Sequence, residues 1–329
     1  MQKLFFIPNQ RWPNPEKRDS AIMRAYMIAH YMKQKFSDKI FVECKRSIPD
    51  YAKSGDIVIF VKDDFHTDIK KAKSKGCITI LDPCDMITFS HNSSQFDIVI
   101  SAGKTHSEWL SRKMSIDINK CIVIDHLHTN ISRLKANERE TDSKVIIGAT
   151  NYDDHAMIGK EKFIYLKNSI DKKSEISNYN LTKNTNSRCA FSIDYANNTV
   201  VGLYDCYKHM HIGLNLFDIK DQTFDPNDKS TNRVTIKPSV KLIAMASYGI
   251  PSISYYQSSY DKFIEKYKGF ENFIAKDVDD VIIKINKLVC DFDYYLMSKK
   301  MFSQIGEDFH MDNSYEFYVK QINNFINKR

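Results

Sequence analysis

Short apolar runs alternate with segments whose apolar residues recur at helical spacing, and this alternation restricts the fold more than any other feature. Lys3–Ile7, Lys39–Glu43, Ile57–Val61, Cys77–Leu81, Phe96–Ser101 and Cys121–Asp125 read as strands. Between them, Asp19–Met32 places Ile22, Ala25, Tyr26, Ala29 and Met32 on one helical face. His66–Lys75 reads as a polar helix and Thr105–Lys113 as another. Strands separated by helices imply βαβ units and a mainly parallel sheet.

A charged stretch, Lys135–Ser143, has no apolar periodicity and is expected to connect two domains. The pattern then restarts. Lys144–Ala149, Ala190–Ile193, Ile212–Phe217 and Ser252–Tyr255 are expected strands, with Thr199–Cys206 between the second and third of them. Ser239–Tyr248 and Val278–Val289 are expected helices, and a last helix, Ser314–Asn327, carries Tyr315, Tyr318, Val319, Ile322, Phe325 and Ile326 at matching spacing. The expected organisation is a first α/β domain over 1–135, a linker over 136–143, a second α/β domain over 144–310, and a terminal helix over 311–329. At 329 residues the chain has the length for two domains of about 100–200 residues each. Ligands of doubly wound sheets bind beyond the carboxyl ends of the strands.

Composition narrows the class further. Hydrophobic residues make up 42% and charged residues 27%, the balance of a globular protein. No apolar run approaches the roughly 20 residues of a membrane-spanning helix. Met1–Pro8 enters a strand-like run without the long apolar core of a leader, so an intracellular protein is expected. Seven cysteines, an odd count without a CxxC pair, point to reduced thiols rather than a disulfide framework or metal site. The net charge of +7 favours phosphorylated or polyanionic partners, but it is spread along the chain and forms no nucleic-acid arm.

The most informative stretch runs from Asn232 to Pro251. Pro238 suits the first position of a helix, Gly249 the left-handed residue that ends one, and Pro251 the position just beyond. Leu242 to Ala246 is apolar all round, as in a helix packed inside a domain. At its start stand Lys237, Ser239 and Lys241, with Arg233 slightly earlier. A helix N-terminus attracts phosphate through its unpaired N–H groups and partial positive charge. Cations at the mouth of so apolar a helix suggest a bound anion; solvated lysines are the alternative.

Lys237-Pro-Ser-Val-Lys241, Ala244-Met-Ala246, Gly249-Ile-Pro251 and the strand Ser252–Tyr255 resemble the donor-binding segment of GT-B glycosyltransferases. Phe96–Ser101, Ile122–Asn130 and Tyr204–Phe217 are similar to other pieces of that family and stand in its order. The resemblance implies two Rossmann-like domains facing a cleft, with the terminal helix packing back on the first. It also implies transfer of a sugar from a nucleotide donor to a glycan or lipid-linked acceptor, as in surface polysaccharide synthesis. One departure stands out: where many retaining members carry paired glutamates, this chain has Thr235 and Ile243.

On this reading Arg233, Lys237, Ser239 and Lys241 hold the donor phosphates, and Tyr256-Gln257-Ser258-Ser259 contacts the donor from the end of a strand. No cofactor or metal is required. Asp85 and His126 are the candidate catalytic bases, with Asp82 as an alternative that an Asp-Pro turn would also explain. Arg11, Trp12 and His128 are expected on the acceptor side. A nucleic-acid acceptor, a non-catalytic binder of the same fold and a nucleotide-sugar epimerase remain as competing readings. A basic surface without a spanning segment also suits work at the inner face of a membrane.

Overall fold

The computed structural model describes residues 1–9, 22–62, 66–84, 86, 89, 93–141, 143–149, 159–178, 192–194, 199–201, 207–216 and 239–328. The described residues of Met1–Leu127 and Met311–Arg329 form one compact unit, and those of His128–Thr223 and Ser239–His310 form a second.

In the first unit, β1 (Lys3–Pro8), β2 (Phe41–Cys44), β3 (Ile57–Val61), β4 (Ile78–Asp82), β5 (Ile98–Ser101) and β6 (Cys121–Val123) form one parallel sheet. Its order is β2-β1-β3-β4-β5-β6, so the topological switch lies between β1 and β3. Helices α1 (Met27–Lys35), α2 (His66–Ser74) and α3 (Lys104–Met114) connect the strands. The central strands are almost wholly buried and mostly apolar because both faces are covered. Phe5, Phe60, Phe96, Trp109 and Leu110 belong to the core on one side.

The second unit repeats the plan. Its strands β7 (Val145–Ala149), β8 (Ser174–Asn178), β11 (Ile212–Asn215), β12 (Ser252–Tyr255) and β13 (Ile274–Ala275) are parallel, in the order β13-β12-β11-β7-β8. The segment expected as a strand over Ala190–Ile193 contributes instead to a separate antiparallel pair, β9 (Ser192–Asp194) with β10 (Thr199–Val201). The helices are α4 (Lys160–Ser169), α5 (Val240–Ser247), α6 (Asp261–Lys266), α7 (Val278–Cys290) and α8 (Phe292–Asp308). Leu214, Leu242, Ile243, Ile253, Ile285 and Phe302 belong to one core. The chain ends in α9 (Gln321–Asn327), which belongs to the first unit. There Phe6 meets the Tyr318 ring at 5.7 Å, and Gln2 and Asn323 exchange hydrogen bonds.

The stretch read as a linker is part of the second unit. Ala136 N donates to Tyr248 O at 3.1 Å and Asn137 N to Lys208 O at 2.7 Å. The Arg139 guanidinium caps the end of α7, with Nη1 2.7 Å from Leu288 O. Charged residues without apolar periodicity here anchor through polar contacts, and the division falls between Leu127 and His128.

Candidate functional site

The carboxyl edge of the second sheet is built around the start of α5. Its C-terminal end follows the sequence grammar: Gly249 has φ of +74°, its N–H reaches Ala246 O at 2.8 Å, and Ile250 N reaches Met245 O at 3.2 Å. That pair of bonds is a Schellman closure. Close packing fixes the helix in place. A side-chain carbon on Gly306 of α8 would lie 2.7 Å from Ala246 O, and one on Gly213 of β11 would lie 2.4 Å from Met245 Sδ.

At the other end the helix begins at Val240, later than a proline at the first helical position would set it, with Ser239 as N-cap. A capping serine ordinarily accepts a hydrogen bond from the second or third helical N–H. Ser239 makes none, although it is only 2% exposed, and its Oγ has no partner. Three more buried side chains at this edge share that condition. Asn215, the last residue of β11, donates through Nδ2 to the Tyr260 hydroxyl and leaves Oδ1 unpartnered. Gln257 Nε2 and Ser259 Oγ, just past β12, are likewise buried and unpartnered. Each such atom costs about 1–3 kcal/mol if nothing meets it. Clustering at a strand-end edge beside an uncapped helix start is the signature of a site shaped for a polar ligand.

The loop expected to contact the donor is therefore divided in its roles. Gln257 and Ser259 turn inward, whereas Tyr256 is exposed and donates its hydroxyl to Asp261 at 2.6 Å. Partial burial and that carboxylate push the Tyr256 phenol up to about 12. Ser258 opens the short helical turn that follows. Lys241 lies half-buried in the first turn of α5. Arg233 and Lys237 lie outside the described residues, as do Arg11, Trp12 and Asp85. Ile243, where the resemblance sets the second glutamate of many retaining enzymes, is 1% exposed within the apolar core, so a carboxylate there would be buried among hydrocarbon.

The corresponding edge of the first sheet is charged. Asp82 ends β4 and meets Arg24, whose Nε lies 2.7 Å and Nη2 2.6 Å from Oδ2. Arg24 Nη1 reaches Asp125 O at 3.3 Å, while Cys84 N lies 3.2 Å from Asp82 Oδ1. Asp82, expected as a base or a simple turn residue, is thus a paired carboxylate in a buried site. His126 stands beside this cluster, buried, with Nδ1 unpartnered. Burial, then the charges of Arg24 and Lys62, hold its imidazole well below the usual histidine range, so the ring is neutral.

His128 departs from the expected acceptor role because both ring nitrogens are engaged within the second unit. Nε2 lies 2.8 Å from Gly306 O, and Nδ1 accepts from Asn130 N at 3.1 Å. Burial and neighbouring His310 depress it to about 3. Arg24, Tyr318 and Asn215 escaped the sequence reading. Each occupies an ordinary place in an apolar or helical pattern, and only the folded contacts single it out.

Among the described residues no group of three or more His, Cys, Asp or Glu side chains is arranged to hold a metal ion. No helix among them is long and apolar enough to cross a membrane.

The two helix-covered parallel sheets define a pair of Rossmann-like α/β units, the GT-B fold. No protein-family model matches the sequence, and no curated protein matches it. Solved structures do. HepE from Anabaena in complex with UDP aligns over 98% of this chain and 100% of its own at a TM-score of 0.61 and 9% identity. Sucrose-phosphate synthase from Thermosynechococcus elongatus covers 100% of both chains at 0.58 and 8% identity. The lipopolysaccharide outer core galactosyltransferase WaaB, in its apo form, covers 99% of both at 0.57 and 12% identity. At such identities the likeness is one of fold.

Proposed function

We propose that this protein transfers a sugar, a hexose in the first instance, from a nucleoside-diphosphate donor to a glycan or glycolipid acceptor, as in surface polysaccharide synthesis. The observation that carries this reading is the set of buried, unpartnered polar atoms of Asn215, Ser239, Gln257 and Ser259 at the uncapped start of α5. HepE, of the same fold, is known in complex with UDP and with UDP-glucose, which makes such a donor the first to test.

The donor belongs to the second unit. The α5 N-terminus, Ser239 and Lys241, with Arg233 and Lys237, would meet the diphosphate and stabilise the charge that develops as it leaves. Amide and hydroxyl groups of Asn215, Gln257 and Ser259 would bind the uncharged parts of the donor. This clamp supplies its positive charge from side chains and helix amides, so no metal is assigned to it. The acceptor would bind at the carboxyl edge of the first sheet, beside His126, and Asp85, Arg11 and Trp12, outside the described residues, are its further candidate contacts from sequence. In the transfer an acceptor hydroxyl attacks the anomeric carbon, the bond from that carbon to the phosphate oxygen breaks, and the hydroxyl proton passes to a base. The excess of basic residues suits peripheral work on a lipid-linked acceptor at an anionic membrane surface.

Calorimetric titration with UDP, GDP, ADP, CMP and UDP-glucose tests the donor assignment. Binding of one nucleotide, lost in Ser239→Ala combined with Gln257→Ala, is the expected result. Absence of binding by all of them would remove its basis. Nucleotide-sugar binding without transfer or hydrolysis would instead mark a non-catalytic binder.

A further inference from the structure

Among the described residues two stretches wind as π-helix, Ile22–Tyr26 ahead of α1 and Glu316–Lys320 ahead of α9. A π-turn is rare, occurs mostly as a single turn within an α-helix, and is frequent at functional sites. Each of these turns sends one large polar side chain to the same place. Arg24 comes from the first and Tyr318 from the second, with the guanidinium carbon 5.8 Å from the Tyr318 ring centre. Both side chains are buried.

Arg24 ties together two strand-end turns. Its bonds to Asp82 hold the turn after β4, and its bond to Asp125 O holds the turn after β6 that carries His126. The backbone around Asp82 is also specialised. Lys62 and Cys84 are two of the four non-glycine residues with positive φ among the described residues. Lys62 N donates to Asp82 O at 2.8 Å, and Cys84 N to Asp82 Oδ1. Backbone strain of this kind persists where the surroundings over-determine it, often at functional sites.

Two buried polar atoms beside this network remain open, Tyr318 Oη and His126 Nδ1. A salt bridge kept only for stability can be replaced by apolar residues without loss. It gives no reason for two π-turns, two left-handed residues and two orphaned polar atoms at one strand-end edge.

We propose that Arg24 is a positioning residue of the acceptor side, fixing the Asp82 and His126 turns at the carboxyl edge of the first sheet, and that the open Tyr318 hydroxyl aimed beside it is kept for the acceptor. The inference rests on the sugar-transfer reading and extends it to Arg24, which need not touch substrate, and to Tyr318, whose hydroxyl would. His126 then faces the acceptor as a neutral hydrogen-bonding group. Burial, Arg24 and Lys62 keep it neutral; Asp82, the Cys84 thiol and the Tyr318 hydroxyl complete the titratable groups around the guanidinium.

Two variants test this. Tyr318→Phe removes a hydroxyl that has no hydrogen bond to lose, so a purely structural Tyr318 predicts unchanged melting and unchanged kinetics. The expected result is unchanged melting and unchanged nucleotide affinity, with kcat/KM for the acceptor lowered about tenfold. Arg24→Gln combined with Asp82→Asn leaves no lone buried charge. It is expected to lower acceptor-dependent turnover by about 100-fold while nucleotide affinity holds. In the same variant the NMR signals of the His126 ring should shift, because the turn that carries it loses the Arg24 bond to Asp125 O. Unchanged acceptor kinetics in Tyr318→Phe would overturn the proposal, and so would His126 signals identical to wild type in the double variant. If no nucleotide binds the wild type, the sugar-transfer reading fails by itself, and the His126 signals still decide whether Arg24 governs that turn.

Discussion

At the end of β4 a carboxylate is met by an arginine; at the end of β11 an amide oxygen is met by nothing. Both residues occupy carboxyl edges of parallel sheets, where such folds bind ligands. The first edge is closed by charge: Arg24, Asp82, the carbonyl of Asp125 and two left-handed residues hold one another. The second is held by apolar packing beneath and left chemically open above. Leu242, Ile243, Met245 and Ala246 seat α5 in the core, while Ser239, Asn215, Gln257 and Ser259 keep unsatisfied atoms at its start. A fully paired ion cluster is suited to orienting neighbours. An open set of neutral donors and acceptors beside a positive helix end is suited to taking up a ligand.

The sharpest way to break this contrast is to remove one charge from the first edge. Arg24→Ala leaves Asp82 buried and unpaired and should cost about 3–5 kcal/mol in urea unfolding. A loss below about 1 kcal/mol would mean that water reaches the pair. The packing that seats α5 in the second unit should instead be sensitive to volume. Gly306→Ala forces a methyl group against Ala246 O, and overpacking of that kind typically costs about 1–3 kcal/mol. An unchanged melting temperature would show that α5 and α8 can separate without penalty.

Acid separates the buried histidines from ordinary ones. His128 is held near 3, so between roughly pH 6.5 and 3 the unfolded chain takes up a proton that the folded one refuses. Stability is therefore complete above that window and falls as pH is lowered through it. His128→Gln should flatten the slope of unfolding free energy against pH by up to one proton, measured by denaturation at pH 7, 6 and 5. His126 is shifted in the same direction and adds to the wild-type slope. The smallest effect concerns Ser239→Ala. Loss of a working cap costs about 1 kcal/mol, but this hydroxyl caps nothing. Stability should stay within about 0.5 kcal/mol of wild type while nucleotide affinity falls. A clear drop in stability would reveal a cap and remove Ser239 from the open set.

Most of the sheet was legible either as continuous apolar runs such as Ile57–Val61 or, for Ser252–Tyr255, from its place just after the Gly249-Ile-Pro251 helix stop. Ile57–Val61 and Ser252–Tyr255 were read with the bounds they have in the structure. Strand β8 was missed because its residues, Ser174–Asn178, are mostly polar at the edge of the sheet. Helix α8 was missed for a related reason: it buries Tyr295, Ser298, Phe302, Ile305 and Gly306, a mixed set whose small and polar members hide the apolar stripe. The end of α5 was legible in Gly249, since only a left-handed residue completes that closure. In the candidate site, Ser239, Gln257 and Ser259 were named from sequence, whereas Arg24, Tyr318 and Asn215 were not.

Local chemistry encoded in the sequence determined the alternation of strands and helices, the stop at Gly249 and the polar loop after β12, because periodicity and turn residues act over a few positions. Tertiary structure alone decided that Arg24 meets Asp82, 58 positions away, that Tyr318 comes under Arg24 from the far end of the chain, and that Ser239 caps nothing. Pairing and its absence are properties of which groups share a buried volume. No local pattern records that.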